Sequence, residues 1–399
     1  MDKFKTMHRR FTVGGLVLVL LASLFLTASA PSDPDFQIGV PLDQAIVYSG
    51  GESSNLRDYD PATTYSAGDK LIFSGLVQLD QNLNIRPDLA ETWEVTGDGT
   101  VYTFKIRDNA KFHNGRDVTA QDVVFSWERA ASPELASDTV LTYLSDIVGV
   151  REKALGQADS ISGLKVIDDK TLQVTIDAPK PYFLMKLTFP TSYIVDQDNV
   201  SAGEEWVRQP NGTGPYKLKE WRSNEYIVYE ANPDFYLGAP SIPYVVFKLY
   251  AGDDVRLFET GDVDIAGVGL YDVERMLNPN EPLNRNLVTG VDLCTSYVTF
   301  DTTQPPFDDA NVRKAFSMAF DRQRYVDVLY RGVALPAEGL YPPGLPGFDY
   351  NLQGLPFDPE QARELLKQSK YGGPEGLPEI IYTNAGIGSY IGGNVAALA

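Results

Sequence analysis

The side chains that could do covalent or metal chemistry are few. There is one cysteine, Cys294, and there are two histidines, His8 and His113. His8 falls in an N-terminal stretch read below as an export signal, so the mature chain cannot assemble the His and Cys clusters of a zinc site. A Cys/His nucleophile pair would need Cys294 and His113 to meet through the fold. His113 stands between Phe112 and Asn114 at a strand end, where a hydrogen-bonded structural role is the expectation. Acidic residues are abundant, but carboxylates cannot be paired for acid/base work from spacing alone, and no GxSxG, HExxH or triad order is present. The run Asn211-Gly212-Thr213-Gly214-Pro215-Tyr216 invites comparison with a phosphate loop. It lacks the third glycine of GxGxxG and no GK[ST] follows, so it reads as a backbone-permissive turn. What remains is non-covalent: 22 Tyr and 19 Phe suit a large core or a pocket that stacks on a ligand.

Whatever these residues do, they do it after export. Residues 1–30 place Lys3, Lys5, Arg9 and Arg10 before an apolar run from Val13 to Leu26 and then Ala28-Ser29-Ala30, the order of a signal peptide. The run is shorter than the ~20 residues of a comfortable membrane span. Pro31 directly after the cut is unfavourable, so an uncleaved anchor is the alternative. No cysteine lies near the cleavage region to carry a lipid. The net charge is −20, of which the first thirty residues supply +3 (four cations against Asp2), leaving −23 for the mature part. That balance argues against nucleic acid as a partner. With 399 residues, two or more lobes are expected.

The elements can be placed by period and punctuation. Asp98-Gly99 predicts a tight turn, followed by a strand in which Tyr102, Phe104 and Ile106 share one face. After a turn at Asn114-Gly115, Thr119 with Asp122 three residues on predicts a capped amphipathic helix bearing Val123, Val124, Trp127, Ala130 and Ala131. Asp168-Asp169-Lys170 joins two strands within 161–176. Further strands are expected at 217–221, 226–230, 245–250, 263–266, 291–300 and 380–383. Helices are expected from the turn at Tyr59-Asp60-Pro61 through Leu76, and at 253–260, 309–331, 359–370 and from 387. Pro179, Pro181 and Pro190 punctuate an aromatic run read as a crossing between lobes. The apolar end at Ala399, without cap or return strand, leads to the expectation that the second lobe is truncated.

Several blocks together resemble one family. They are PDLAETW and DGTVYTFKIRDNAKFHNGRDVTAQDVVFSW within 87–127, LKVIDDKTLQVTIDAPKPYF at 164–183, NGTGPYKLKEW at 211–221 and FETGDVDIAGV at 258–268. QPPFDDANVRKAFSMAFDR at 304–322 and FDPEQARELLKQSKYGG at 357–373 complete the set. In order and spacing they resemble the peptide- and nickel-binding receptors of ABC importers, the bacterial extracellular solute-binding proteins of family 5. LCTSY at 293–297 and the PYF region are most similar to the oligopeptide-binding members.

The resemblance implies an α/β, two-lobed periplasmic-binding-protein-like (type II) fold with an extra small α+β domain in the first half. The implied order is a signal peptide at 1–30, the start of lobe 1 at 36–57, the inserted domain at 58–180, lobe 1 again at 181–288 and an incomplete lobe 2 at 289–399. It implies a monomeric, non-enzymatic exported receptor, periplasmic or on the outer face of the membrane, without cofactor. Such a receptor captures peptides between its lobes and hands them to a membrane permease. An oligosaccharide or nickel chelate is the alternative ligand within the family, and an exported hydrolase the remote alternative outside it. Positions aligned with family contact regions are Tyr65, Ser66, Tyr143, Phe189, Tyr297 and Thr299. Thr299 departs from relatives that carry an acid there, and the groups that hold peptide termini in those relatives lie beyond position 399. Cys294 aligns with a cysteine that pairs further along in the closest relatives, so it is expected either in a disulfide to that segment or as a free buried thiol.

Overall fold

The computed structural model describes residues 38–64, 70–290, 292–345 and 347–381. The expected signal segment, Tyr65, Ser66 and the helix expected from 387 lie outside them. The chain divides into two compact units, one ending at Ala266 and one beginning at Gly267.

The first unit holds two four-stranded sheets and a two-stranded ribbon. One sheet has the order β1-β10-β9-β8, built from β1 (Ala45–Gly50), β8 (Tyr216–Arg222), β9 (Tyr226–Ala231) and β10 (Tyr244–Leu249). β1 runs parallel to β10 with Val47 opposite Val246, and the other pairs are antiparallel. Its central strand β9, YIVYEA, does not alternate polar with apolar because both faces are covered. Ile227 and Tyr229 face a cluster with Val245, Leu249 and Trp206, whereas Tyr226 and Val228 face Val47, Val246 and Val263.

Between β1 and β8 the chain builds the rest of the unit. A ribbon pairs β2 (Val77–Leu79) with β3 (Ile85–Pro87), and the second sheet, all antiparallel, has the order β4-β5-β7-β6. It comprises β4 (Ala90–Thr96), β5 (Val101–Ile106), β6 (Leu164–Asp168) and β7 (Thr171–Thr175). The β4–β5 turn takes positive φ at Gly97, Asp98 and Gly99, as the Asp-Gly dipeptide predicts. Tyr102, Phe104 and Ile106 of β5 and Leu172 and Val174 of β7 are buried on one face, against helix α1 (Ala120–Ala130). α1 opens with a full capping box between Thr119 and Asp122. Its Trp127 is fully buried, with the indole N–H donating to the Ser192 carbonyl at 2.9 Å. Helix α2 (Asp254–Thr260) is capped by Asp253 and ended by Gly261 in the left-handed region, close to the expected 253–260.

Four expectations are corrected. No helix runs from Pro61 to Leu76 among the described residues. Ile72 to Val77 is a buried run whose carbonyls bond far along the chain, Leu71 to the Tyr216 N–H, Ile72 to Gly214 and Ser74 to Ile194. A segment buried all round and bonded non-locally cannot also satisfy itself as a helix. The expected strand at 263–266 is reduced to one parallel bridge, Ile265 to Tyr48. The helix expected over 309–331 is two, α3 (Ala310–Ala319) and α4 (Arg322–Leu329), because Asp321 caps a new start by accepting from Arg324 N at 2.9 Å. Residues 292–300 form no strand, since no described segment offers them a ladder. Of the strand expected at 380–383, residues 380 and 381 are irregular and the rest lies outside the described residues.

In the second unit α3 packs on α5 (Pro359–Gln368) through Ala315, Met318 and Ala362, flanked by Leu365 and Leu366. Asp309 ties the pair: one carboxylate oxygen caps α3 at Asn311 N (2.8 Å) and the other accepts from Lys370 N (2.9 Å). No helix among the described residues is long and apolar enough to cross a membrane.

Candidate ligand-binding site

Three segments of the first unit converge, at 55–64, 135–143 and 189–192, and an ion pair begins the arrangement. Asn55 caps a single turn, Leu56–Tyr59, and the chain then bends at Asp60-Pro61. The Asp60 carboxylate is gripped at both oxygens by Arg129 of α1, with Nη1 to Oδ1 at 3.1 Å and Nη2 to Oδ2 at 2.6 Å. Oδ1 also accepts from Ala62 N at 3.0 Å. Asp60 is buried, so the bidentate geometry is what makes its charge tolerable there.

From the bend the chain is tied to the segment at 135–143. The Arg57 guanidinium donates to the carbonyls of Leu135 (2.9 Å) and Ala136 (3.1 Å). The Ala62 carbonyl accepts from the hydroxyls of Ser137 and of Thr139, the latter at 3.2 Å. Thr139 in turn accepts from the Thr191 hydroxyl at 2.7 Å, which brings in the third segment. Thr139 and Thr191 are both buried.

Two of the expected contact residues meet here. Tyr143 ends the one-turn helix Val140–Tyr143, Phe189 precedes the turn that starts at Pro190, and their rings stack with centroids 3.6 Å apart and planes 6° from parallel. Both are half-buried, so the stack keeps an edge toward solvent. Tyr65 and Ser66 lie outside the described residues, directly after Thr64 of the tethered bend. Tyr297 and Thr299 belong to the second unit, on the extended segment 292–300, where Tyr297 is two-thirds exposed at 66%. Cys294, on the same segment, is an exposed free thiol.

Sequence reasoning missed Asp60, Arg129, Ser137, Thr139 and Thr191. Asp60-Pro61 was legible as a turn, but partners 69 positions away along the chain leave no local signal.

The other chemistry-bearing residues are structural. His113 Nε2 donates to the Gly214 carbonyl at 3.1 Å, and burial, opposed by that bond and helped by Lys217, pulls its pKa down to about 4. The ring is therefore neutral at pH 7, as the structural reading expects. Gly212 and Gly214 of the glycine-rich loop lie against Ile72 and Leu71 so closely that a Cβ on either would overlap a backbone carbonyl oxygen. Glycine is there for a chain crossing. Asp88 is buried, and desolvation, opposed by the Tyr236 hydroxyl at 2.5 Å, pushes its carboxyl up to about 6. Among the described residues no group of three or more His, Cys, Asp or Glu is placed to hold a metal.

The arrangement offers a stacked aromatic edge beside backbone held by committed hydroxyls. Such a surface can pack on a ligand and hydrogen-bond it through main chain without reacting with it.

Comparison with known proteins gives the family. Residues 84–388 match the family described as bacterial extracellular solute-binding proteins, family 5 Middle. The chain is 30% identical over 361 residues to di/tripeptide-binding protein 2 of Pseudomonas aeruginosa (strain UCBPP-PA14), covering 86% of this chain and 66% of that protein. It is 29% identical over 369 residues to the glutathione-binding protein GsiB of Salmonella typhi, covering 91% of this chain and 67% of that one. Among solved structures it is similar to the Escherichia coli murein tripeptide binding protein MppA, with a TM-score of 0.72 and 28% identity over 83% of this chain and 67% of that one. The chain thus spans about two thirds of the length of these relatives. These similarities carry the two-lobed binding-protein fold expected from the motifs. The chain belongs to the bacterial extracellular solute-binding proteins of family 5, a family of transport receptors.

Proposed function

We propose that this protein is the substrate-binding receptor of an ABC importer, capturing short peptides and delivering them to a membrane permease on the outer side of the membrane. One observation carries the reading: the relatives matched along most of the chain are named for di- and tripeptides, glutathione and a murein tripeptide, all short peptidic ligands. In this reading the protein acts as a monomer and catalyses nothing.

The physical logic suits a peptide. Main-chain groups and charged termini are common to all peptides, so affinity drawn from them tolerates varied side chains, and water fills the remaining space. Tyr65, Ser66, Tyr143, Phe189, Tyr297 and Thr299 are proposed as ligand-contact residues, with Tyr143 and Phe189 packing on the ligand through their rings. The course of the chain supports an inserted domain within 58–180. It leaves the first sheet after β1, builds the second sheet and α1, and returns to the first sheet at β8.

Titration calorimetry of the protein against a library of peptides two to eight residues long, with glutathione included, tests the reading. Saturable heat with short peptides is the expected result. Silence across all lengths overturns it.

A further inference from the structure

Resting on the peptide-receptor reading, we propose that Thr139 is a positioning residue for ligand capture, its hydroxyl setting the spacing between the segments that carry Tyr143 and Phe189 and the bend at Ala62. Thr139 sits just before the one-turn helix Val140–Tyr143, where a threonine hydroxyl ordinarily caps the exposed N–H groups, yet it makes no cap bond. Ser137 does that work, its Oγ accepting from Val140 N at 3.1 Å and from Thr139 N at 3.3 Å. The Thr139 hydroxyl is released for long-range bonds.

The Thr139 oxygen also lies 3.2 Å from Ser137 Oγ, and two longer-range bonds run through it. A hydroxyl has one proton to give. Thr191 donates to Thr139 at 2.7 Å, and Thr139 donates to the Ala62 carbonyl at 3.2 Å. The Thr139 and Thr191 side chains are 0% and 1% exposed, so bulk water cannot stand in for a missing partner. Ala62 keeps a second donor in Ser137, whereas among the described residues the Thr191 hydroxyl gives its proton to Thr139. Remove that one oxygen and the link that runs from Thr191 through Thr139 to the Ala62 carbonyl is broken. The Tyr143–Phe189 stack lies on the Thr139–Thr191 side of this link, joining the same two segments.

The test compares Thr139→Val, which keeps the shape and loses the hydroxyl, with Thr139→Ser, which keeps the hydroxyl. Calorimetry with the di- to tetrapeptides that wild type binds is paired with amide hydrogen exchange at Thr63, Thr64, Ser192 and Tyr193. Expected are an affinity loss of about tenfold for Thr139→Val with little change in Tm, faster exchange at those amides alone, and recovery of both in Thr139→Ser. Wild-type affinity and wild-type exchange in Thr139→Val overturn the proposal. Should wild type bind no peptide, the receptor reading fails while exchange still decides whether Thr139 positions these segments. If Thr139→Val does not fold, Thr191→Val breaks the same link from the other end, and unchanged exchange and affinity in that variant overturn the proposal equally.

Discussion

Arg129 and Asp60, 69 positions apart, face each other as a two-pronged ion pair beneath the bend that leads to Thr64. The Asp60 and Arg129 side chains are only 7% and 17% exposed, so removing one partner strands the other charge where water reaches it poorly. Asp60→Asn and Arg129→Met are each expected to cost about 3 kcal/mol in urea unfolding. The double variant should cost less than the two together, because no lone charge remains. Additive costs would show that the pair is screened like a surface bridge.

The loop at 211–214 makes a second prediction. A Cβ on Gly212 would overlap the Ile72 carbonyl, which also accepts from Gly214 N at 2.7 Å. Neither chain can retreat without losing that bond and the neighbouring one from Tyr216 N to Leu71 O at 2.8 Å. Gly212→Ala is expected to destabilise by about 2–3 kcal/mol, whereas Gly50→Ala, which meets only an ordinary contact with Phe247, should change stability by less than about 0.5 kcal/mol. Thermal unfolding of both variants checks this.

That crossing also shows where sequence reading stops. The β4–β5 turn, the α1 capping box and the β6–β7 hairpin were legible because their signals lie within a few residues: Asp98-Gly99, Thr119 with Asp122, and Asp168-Asp169-Lys170. The stretch from Leu71 to Leu76 was misread as helix because its partners, Gly214, Tyr216 and Ile194, are distant in sequence. Tyr143 and Phe189 were named through resemblance, and their contact is a product of the fold. The hydroxyls of Thr139 and Thr191 carried no pattern at all, since a buried threonine pair reads the same as any two threonines. The split of 309–331 into α3 and α4 did have a signal, the cap residue Asp321, which a continuous run of helix formers concealed.

The aromatic stack gives a third expectation. Parallel rings at 3.6 Å are coupled beyond the area each buries, so a cycle of Tyr143→Leu, Phe189→Leu and the double variant should return a coupling of about 1 kcal/mol in stability. Under the proposed function, Tyr143→Leu should also weaken peptide binding by about tenfold, more than its effect on folding explains. A coupling near zero would mean the rings touch without depending on each other.

The pH dependence of stability should be flat in the wild type for a reason that single variants expose. Asp88 holds its proton up to about pH 6 in the fold, pushed there mainly by burial, but releases it near 3.8 when unfolded. Between those values the folded state binds more protons, so this group's contribution falls as pH rises, by about 3 kcal/mol across the window. His113 works the other way. Its folded pKa is drawn down to about 4 from 6.5, again mainly by burial, so the unfolded state binds more protons and stability rises with pH over nearly the same range. Asp80, held at about 2 by the Asn84 and Asn82 amides, the Asn84 side chain and Arg86, changes nothing until more acid conditions. Asp88→Asn should therefore be most stable at the upper end of pH 4–6.5, with stability falling on acidification, because His113 is then no longer offset. His113→Gln should show the reverse slope, losing stability as pH rises through Asp88's titration. Urea midpoints at three pH values for the two variants decide it: slopes of the same sign would mean that at least one of these buried groups titrates like its exposed counterpart.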